Sequence, residues 1–244
     1  MKHIMQAITF LTTLPFTDHT EWKDSDYKNM AFFPLAGMAI GGLLCLTDWL
    51  LYPYLSTSVL AVILLSINFL LTGGIHIDGL ADTADGYFSG KKKKDILEIM
   101  KDSRLGTHGV VCIILVCLMK FTLLVAIPAS IRLWTIFLMP IFGRLSLVLG
   151  AYRSTYARES GLGHFYIGRI TVKEVAIAMV ISLSMVCFLP IAGSFLAPLW
   201  MITILFKRLL EKKIGGMTGD TLGALLELTE TLFLLWIVVI FGGR

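Results

Sequence analysis

The chain has 244 residues, of which 56% are hydrophobic and only 16% charged, with a net charge of +4. An ordinary soluble domain carries about 25% charged residues, so this composition excludes that class and points to an integral membrane protein. The mild basic excess lies between apolar runs and does not imply nucleic acid as a partner. Cys45, Cys112, Cys117 and Cys187 all fall inside apolar runs without a CxxC or Cys/His spacing, so no disulfide framework or zinc site is implied.

The N-terminal stretch "MKHIMQAITFLTTLPF" places Ile4, Ile8 and Leu11 on one helical face and stops at Pro15. It has no small-residue cleavage site, so residues 1–30 are read as a cytoplasmic or interfacial segment with a short amphipathic helix. Seven apolar runs follow, at about 32–52, 57–73, 109–127, 131–150, 172–191, 195–211 and 221–241. About twenty apolar residues cross the hydrocarbon core as a helix. The fourth and sixth runs are weaker, because they carry Arg144 or end in Lys207 and Arg208, so the expected count is six to seven. These runs are too long and too uniformly apolar for barrel strands. The predicted fold class is therefore all-α: a single polytopic helix bundle over residues 1–244.

The connections alternate in charge. Basic ones hold Lys2, Lys23 and Lys28, then Lys91 to Lys94 with Lys101 and Arg104, then Arg153, Arg158 and Arg169, then Lys207, Arg208, Lys212 and Lys213. The turns "LYPYLSTS" and "LPIAGSF" carry no charge, and the one near Pro128 carries only Arg132. The positive-inside rule puts the N-terminus and the basic loops in the cytoplasm. Seven spans then put Arg244 outside. The run "KKKK" at 91–94 reads as a topology signal and an anchor on anionic lipid.

Residues 74–108 are expected to form a cytoplasmic motif loop, and "GGIHIDGLADTADG" at 73–86 is its densest part. Asp78, Asp82 and Asp85 stand at i, i+4 and i+7, which is one stripe of a helix. Three carboxylates on one stripe repel unless a cation sits among them, and oxygen-only ligands suit a hard ion such as Mg²⁺ or Mn²⁺. Gly79, Ala81, Ala84 and Gly86 leave room for a bulky anionic ligand. His76 is read as a phosphate donor, a partner of an aspartate, or a structural histidine.

A second acidic set lies in "GGMTGDTLGALLELTE", where Asp220 and Glu227 share a face with Glu230 nearby. Thr218 and the glycines around it could wrap phosphate at a helix start. The carboxylates could equally be ion-path residues or partners of Lys120 or Arg144 across the bundle. "KDSRLGTHGV" adds Lys101, Arg104 and His108, and "AYRSTYARESGLG" adds Arg153 and Arg158, either as phosphate contacts or as residues of the membrane interface. Acid for metal, base for phosphate and glycine for close approach suit phosphoryl transfer from a nucleotide-activated donor to an alcohol.

Together, "TGGIHIDGLADTADG", "LEIMKDSRLGTHGV", "YARESGLG" and "GGMTGDTLGALLELTE", with "FFPLAGMAIGG" near the N-terminus, resemble the cobalamin synthase family. The resemblance covers most of the chain. It implies a multi-pass protein of the cytoplasmic (inner) membrane whose active site faces the cytoplasm and uses Mg²⁺. The implied reaction joins adenosylcobinamide-GDP to α-ribazole or its 5′-phosphate and releases GMP. Asp78, Asp82 and Asp85, with Glu227, would hold metal, and Asp82 or Asp85 would act in catalysis. His76, Lys101, Arg104, His108, Arg153, Arg158, Thr218 and Asp220 would bind substrate and phosphate. An oligomer, or a complex with other enzymes of nucleotide-loop assembly, is left open. One departure is Thr13, in a stretch where the family often has arginine. Two other readings are a CDP-alcohol-type phosphotransferase, whose signature Asp82 interrupts, and an ion-coupled transporter built on Asp220, Glu227 and Lys120.

Overall fold

A computed structural model describes residues 2–14 and 25–241. Pro15, Lys23 and Arg244, which entered the reading of the termini, lie outside the described residues. Ten α-helices are described: α1 (Lys2–Leu11), α2 (Phe33–Leu51), α3 (Thr57–Thr72), α4 (Ile75–Phe88), α5 (Lys93–Ile99), α6 (Thr107–Ala126), α7 (Arg132–Ala151), α8 (Val172–Val186), α9 (Leu196–Ile214) and α10 (Gly219–Phe241). Short 3-10 turns precede α2, follow α7 and precede α9. The described residues contain no strand, only one isolated bridge between Tyr156 and Met217. The all-α expectation is met.

Five helical stretches are long and apolar enough to cross a membrane: Asp26–Leu51, Thr107–Ala126, Arg132–Ala151, Pro190–Ile214 and Gly219–Phe241. A sixth is gained if α3 and α4, bent by 90° at their junction, count as one broken span. The runs expected at 57–73 and 172–191 instead form α3 and α8, of 16 and 15 residues. At 1.5 Å per residue these are about 24 Å and 22 Å long, short of the roughly 30 Å of hydrocarbon.

The basic connections gather at one end of the bundle. Arg158 donates to the Met100 carbonyl, Lys213 lies over the Tyr87 ring, and Lys207 donates to the Tyr152 carbonyl. The uncharged turns meet at the other end. There Arg132 lies beside the Tyr52 ring, Trp134 stacks on Phe188 at 4.6 Å, and Trp236 donates to Ser194. Aromatic side chains collect at membrane interfaces, and basic ones on one side.

The bundle is built around α7 and α10. Helix α2 presses on α7 through Gly37 and Gly41, spaced four apart. A Cβ at either would lie 2.6 or 2.5 Å from a carbonyl oxygen of α7. Small residues at this spacing let two apolar helices approach backbone to backbone, where lipid gives no hydrophobic drive for association. Helix α8 begins on a capping box, with Thr171 and Glu174 satisfying each other's backbone N–H groups. Inside the bundle, Arg132 meets Asp48 at 2.9 Å, and both are almost fully buried.

Candidate active site

The site begins at a break. Gly73 and Gly74 both adopt positive φ, at 62° and 73°. Glycine reaches that region without steric cost. The pair ends α3 and starts α4 at a right angle to it. The segment expected as a loop is therefore largely a helix from Ile75 to Phe88.

On that helix Asp78 is exposed and Asp82 and Asp85 are partly exposed. Gly79 lies flat against α10, where a Cβ would be 2.7 Å from the Asp220 carbonyl oxygen. This close approach brings the first turn of α10 to the acidic stripe. The charges acting on Asp82 are Asp78, Asp220, Arg158 and Asp85, so three carboxylates and one guanidinium surround it. That guanidinium is already committed: Arg158 Nη2 lies 2.6 Å from Asp220 Oδ2. The stripe keeps an excess of negative charge.

Asp85 has a different first task from the others. Its two oxygens accept the Gly106 and Gly109 N–H groups at 2.7 and 2.8 Å. These are free donors at the start of α6, so Asp85 caps that helix from a distance. A Cβ at Gly109 would lie 2.5 Å from the Asp85 carboxylate, so glycine is what lets the carboxylate reach.

Thr218, expected at phosphate, caps the start of α10. It is fully buried, and its hydroxyl accepts the Thr221 N–H while its own N–H donates to the Thr221 hydroxyl. Glu227 lies apart from the acidic stripe in its pairing. It lies 2.7 Å from the Lys120 ammonium, which also meets Glu230 at 2.6 Å, and Arg144 meets Glu230 at 2.6 Å. Two buried cations and two buried carboxylates neutralise each other in the bundle interior, as the reading of Lys120 and Arg144 as partners allows.

His76 is buried, and its Nε2 has no partner. It lines a cavity of about 580 Å³ together with Arg158 and Asp220. Tyr156 lines the same cavity, and burial pushes its phenol above the usual range, so it presents a neutral hydroxyl. Lys101, Arg104, His108 and Arg153 are exposed. Arg104 pairs with Asp102 at 2.6 Å, His108 stacks on Phe88, and Arg153 adopts φ 52° beside the Tyr152 ring. None of these four lines that cavity. Sequence reasoning missed the cavity's aromatic wall of Phe10, Phe33 and Tyr166, whose members are far apart in the chain.

Among the described residues no three His, Cys, Asp or Glu side chains form a ready-made metal cage. Mg²⁺ commonly takes one or two carboxylates and completes its shell with water and substrate phosphate. The oxygen-only donors and unbalanced charge around Asp82 fit that mode.

The family model for cobalamin-5-phosphate synthase matches residues 3–238. The chain belongs to this family. A protein of Alkaliphilus metalliredigens named adenosylcobinamide-GDP ribazoletransferase is 39% identical to it, over 100% of this chain and 97% of its own length. Proteins of the same name from a Thermoanaerobacter species and Clostridioides difficile are 40% and 35% identical, over 94% and 98% of each chain. No solved structure matches the chain.

Proposed function

We propose that the chain is an adenosylcobinamide-GDP ribazoletransferase working at the cytoplasmic face of the inner membrane. The observation that carries this reading is the meeting of the α4 acidic stripe with the Asp220–Arg158 pair at the basic end of the bundle. The α-ribazole 3′-hydroxyl attacks the cobinamide-side phosphorus of the diphosphate. An O–P bond forms, the bond to the leaving phosphate breaks, and GMP departs with the electron pair. Asp82 accepts the hydroxyl proton, and Arg158 orients a phosphate oxygen through the N–H groups Asp220 leaves free. Asp78 and Asp82 would hold Mg²⁺, which supplies neutralisation of the diphosphate charge. Asp85 acts by fixing the α6 start against the stripe.

The family match favours the transferase over the ion-coupled reading. The test is turnover by purified protein in lipid, omitting each substrate in turn. GMP is expected only when adenosylcobinamide-GDP and α-ribazole are both present. GMP formed equally without α-ribazole would reduce the activity to hydrolysis.

A further inference from the structure

The cavity beside the acidic stripe is a partly open cleft large enough for a small molecule. It is about 580 Å³, inside the range of roughly 300–1,000 Å³ typical of small-molecule sites. Its wall includes three rings from separate segments: Phe10 of α1, Phe33 of α2 and Tyr166 of the loop after α7. Their centroids lie 5.3 to 6.0 Å apart, with Phe10 and Phe33 stacked at 26°. A flat ligand finds ring faces and edges there.

His76 backs the same wall, 5% exposed, with its Nε2 shut off from solvent and Arg144 and Lys120 the charges that act on its ring. Asp220 belongs both to this wall and to the charges around Asp82. Whatever fills the cavity therefore ends beside the stripe.

We propose that this cavity is the acceptor subsite, and that it holds the aromatic base of the ribazole. This rests on the functional reading above. A benzimidazole is flat, bicyclic and apolar, which suits a wall that carries Phe10, Phe33 and Tyr166. Its ribose is then the part directed to Asp220 and Arg158. Guanine carries several donors and acceptors along one edge, whereas most of this wall is apolar. A corrin ring with its amide side chains is too large for the volume. Base and ring stacking is sensitive to loss of one ring, commonly by about tenfold or more.

The test uses two variants that spare the deep core. Phe10→Ala removes a half-buried ring, and Leu162→Trp fills the cavity from a residue that is 50% exposed. Steady-state GMP release is measured against each substrate, and binding of α-ribazole alone is measured by calorimetry in nanodiscs. Phe10→Ala is expected to raise the KM for α-ribazole about tenfold, weaken its binding in parallel, and leave the KM for adenosylcobinamide-GDP within about twofold. It should also erase much of the preference for dimethylbenzimidazole riboside over smaller-base ribosides. Leu162→Trp should weaken α-ribazole binding as strongly. A change confined to the donor KM would assign the cavity to guanine and overturn the proposal. Unchanged constants for both substrates would overturn it too. Wild-type protein that releases no GMP overturns the functional reading instead, an outcome distinct from either.

Discussion

Arg158 reaches from the loop after α7 to Asp220 in the first turn of α10, with Nη2 and Oδ2 2.6 Å apart. The two residues are 62 positions apart in sequence, and their pair closes one side of the acidic stripe. It is partly exposed, so it contributes little to stability, in the range of about 0–1 kcal/mol. In the proposed reaction its weight falls on the phosphate. Arg158→Ala is expected to lower kcat/KM for GMP release by about 100-fold, typical of losing a charged phosphate ligand. Thermal unfolding in detergent should move little. Adding Asp220→Asn should cost less than the product of the two single effects, because the residues act as a unit.

Asp82 is surrounded by three carboxylates, and a divalent cation relieves that crowding. Asp82→Asn is expected to leave less than about 1% of activity while insertion is unchanged. EDTA should abolish wild-type turnover, and added Mg²⁺ or Mn²⁺ should restore it. Full activity in EDTA-treated membranes would contradict the metal assignment.

Asp85 separates from its neighbours by its task as a cap. Asp85→Ala should destabilise the protein by about 1–2 kcal/mol, the range for losing a helix cap. Gly109→Ala pushes a methyl group against the same carboxylate. Its effect on melting temperature should match that of Asp85→Ala, and the double variant should be little worse than either.

Lys120 sits buried between Glu227 and Glu230. Lys120→Met leaves Glu227 without its cation and Glu230 with Arg144 alone, and is expected to cost about 3–5 kcal/mol. Combining it with Glu227→Gln should recover part of that loss. Both are read by thermal unfolding of purified protein in one detergent.

The acidic stripe was legible in the sequence because helical periodicity places Asp78, Asp82 and Asp85 on one face wherever the helix goes. The division of labour among them was not. Only the fold shows that the Gly106 and Gly109 amides meet Asp85. The seven-residue spacing puts Glu227 on one face with Asp220, but its partner Lys120 is 107 residues away. Thr218 looked like a phosphate ligand because caps and phosphate loops draw on the same residue types. The structure allows up to six spans, the lower end of the six to seven expected, because the apolar run around 57–73 ends at a glycine pair and α8 in the run at 172–191 is only 15 residues long. The aromatic wall was invisible, since Phe10, Phe33 and Tyr166 each read as ordinary apolar residues.

In the proposed reaction the α4 stripe and the Asp220–Arg158 pair carry phosphoryl transfer to a ribazole hydroxyl. GMP release and corrinoid product, followed together for wild type and Asp82→Asn in the same lipid vesicles, test this. One GMP per adenosylcobalamin is expected from the wild type, only with a divalent cation, and almost none from the variant. Asp82→Asn protein turning over at close to the wild-type rate would contradict it.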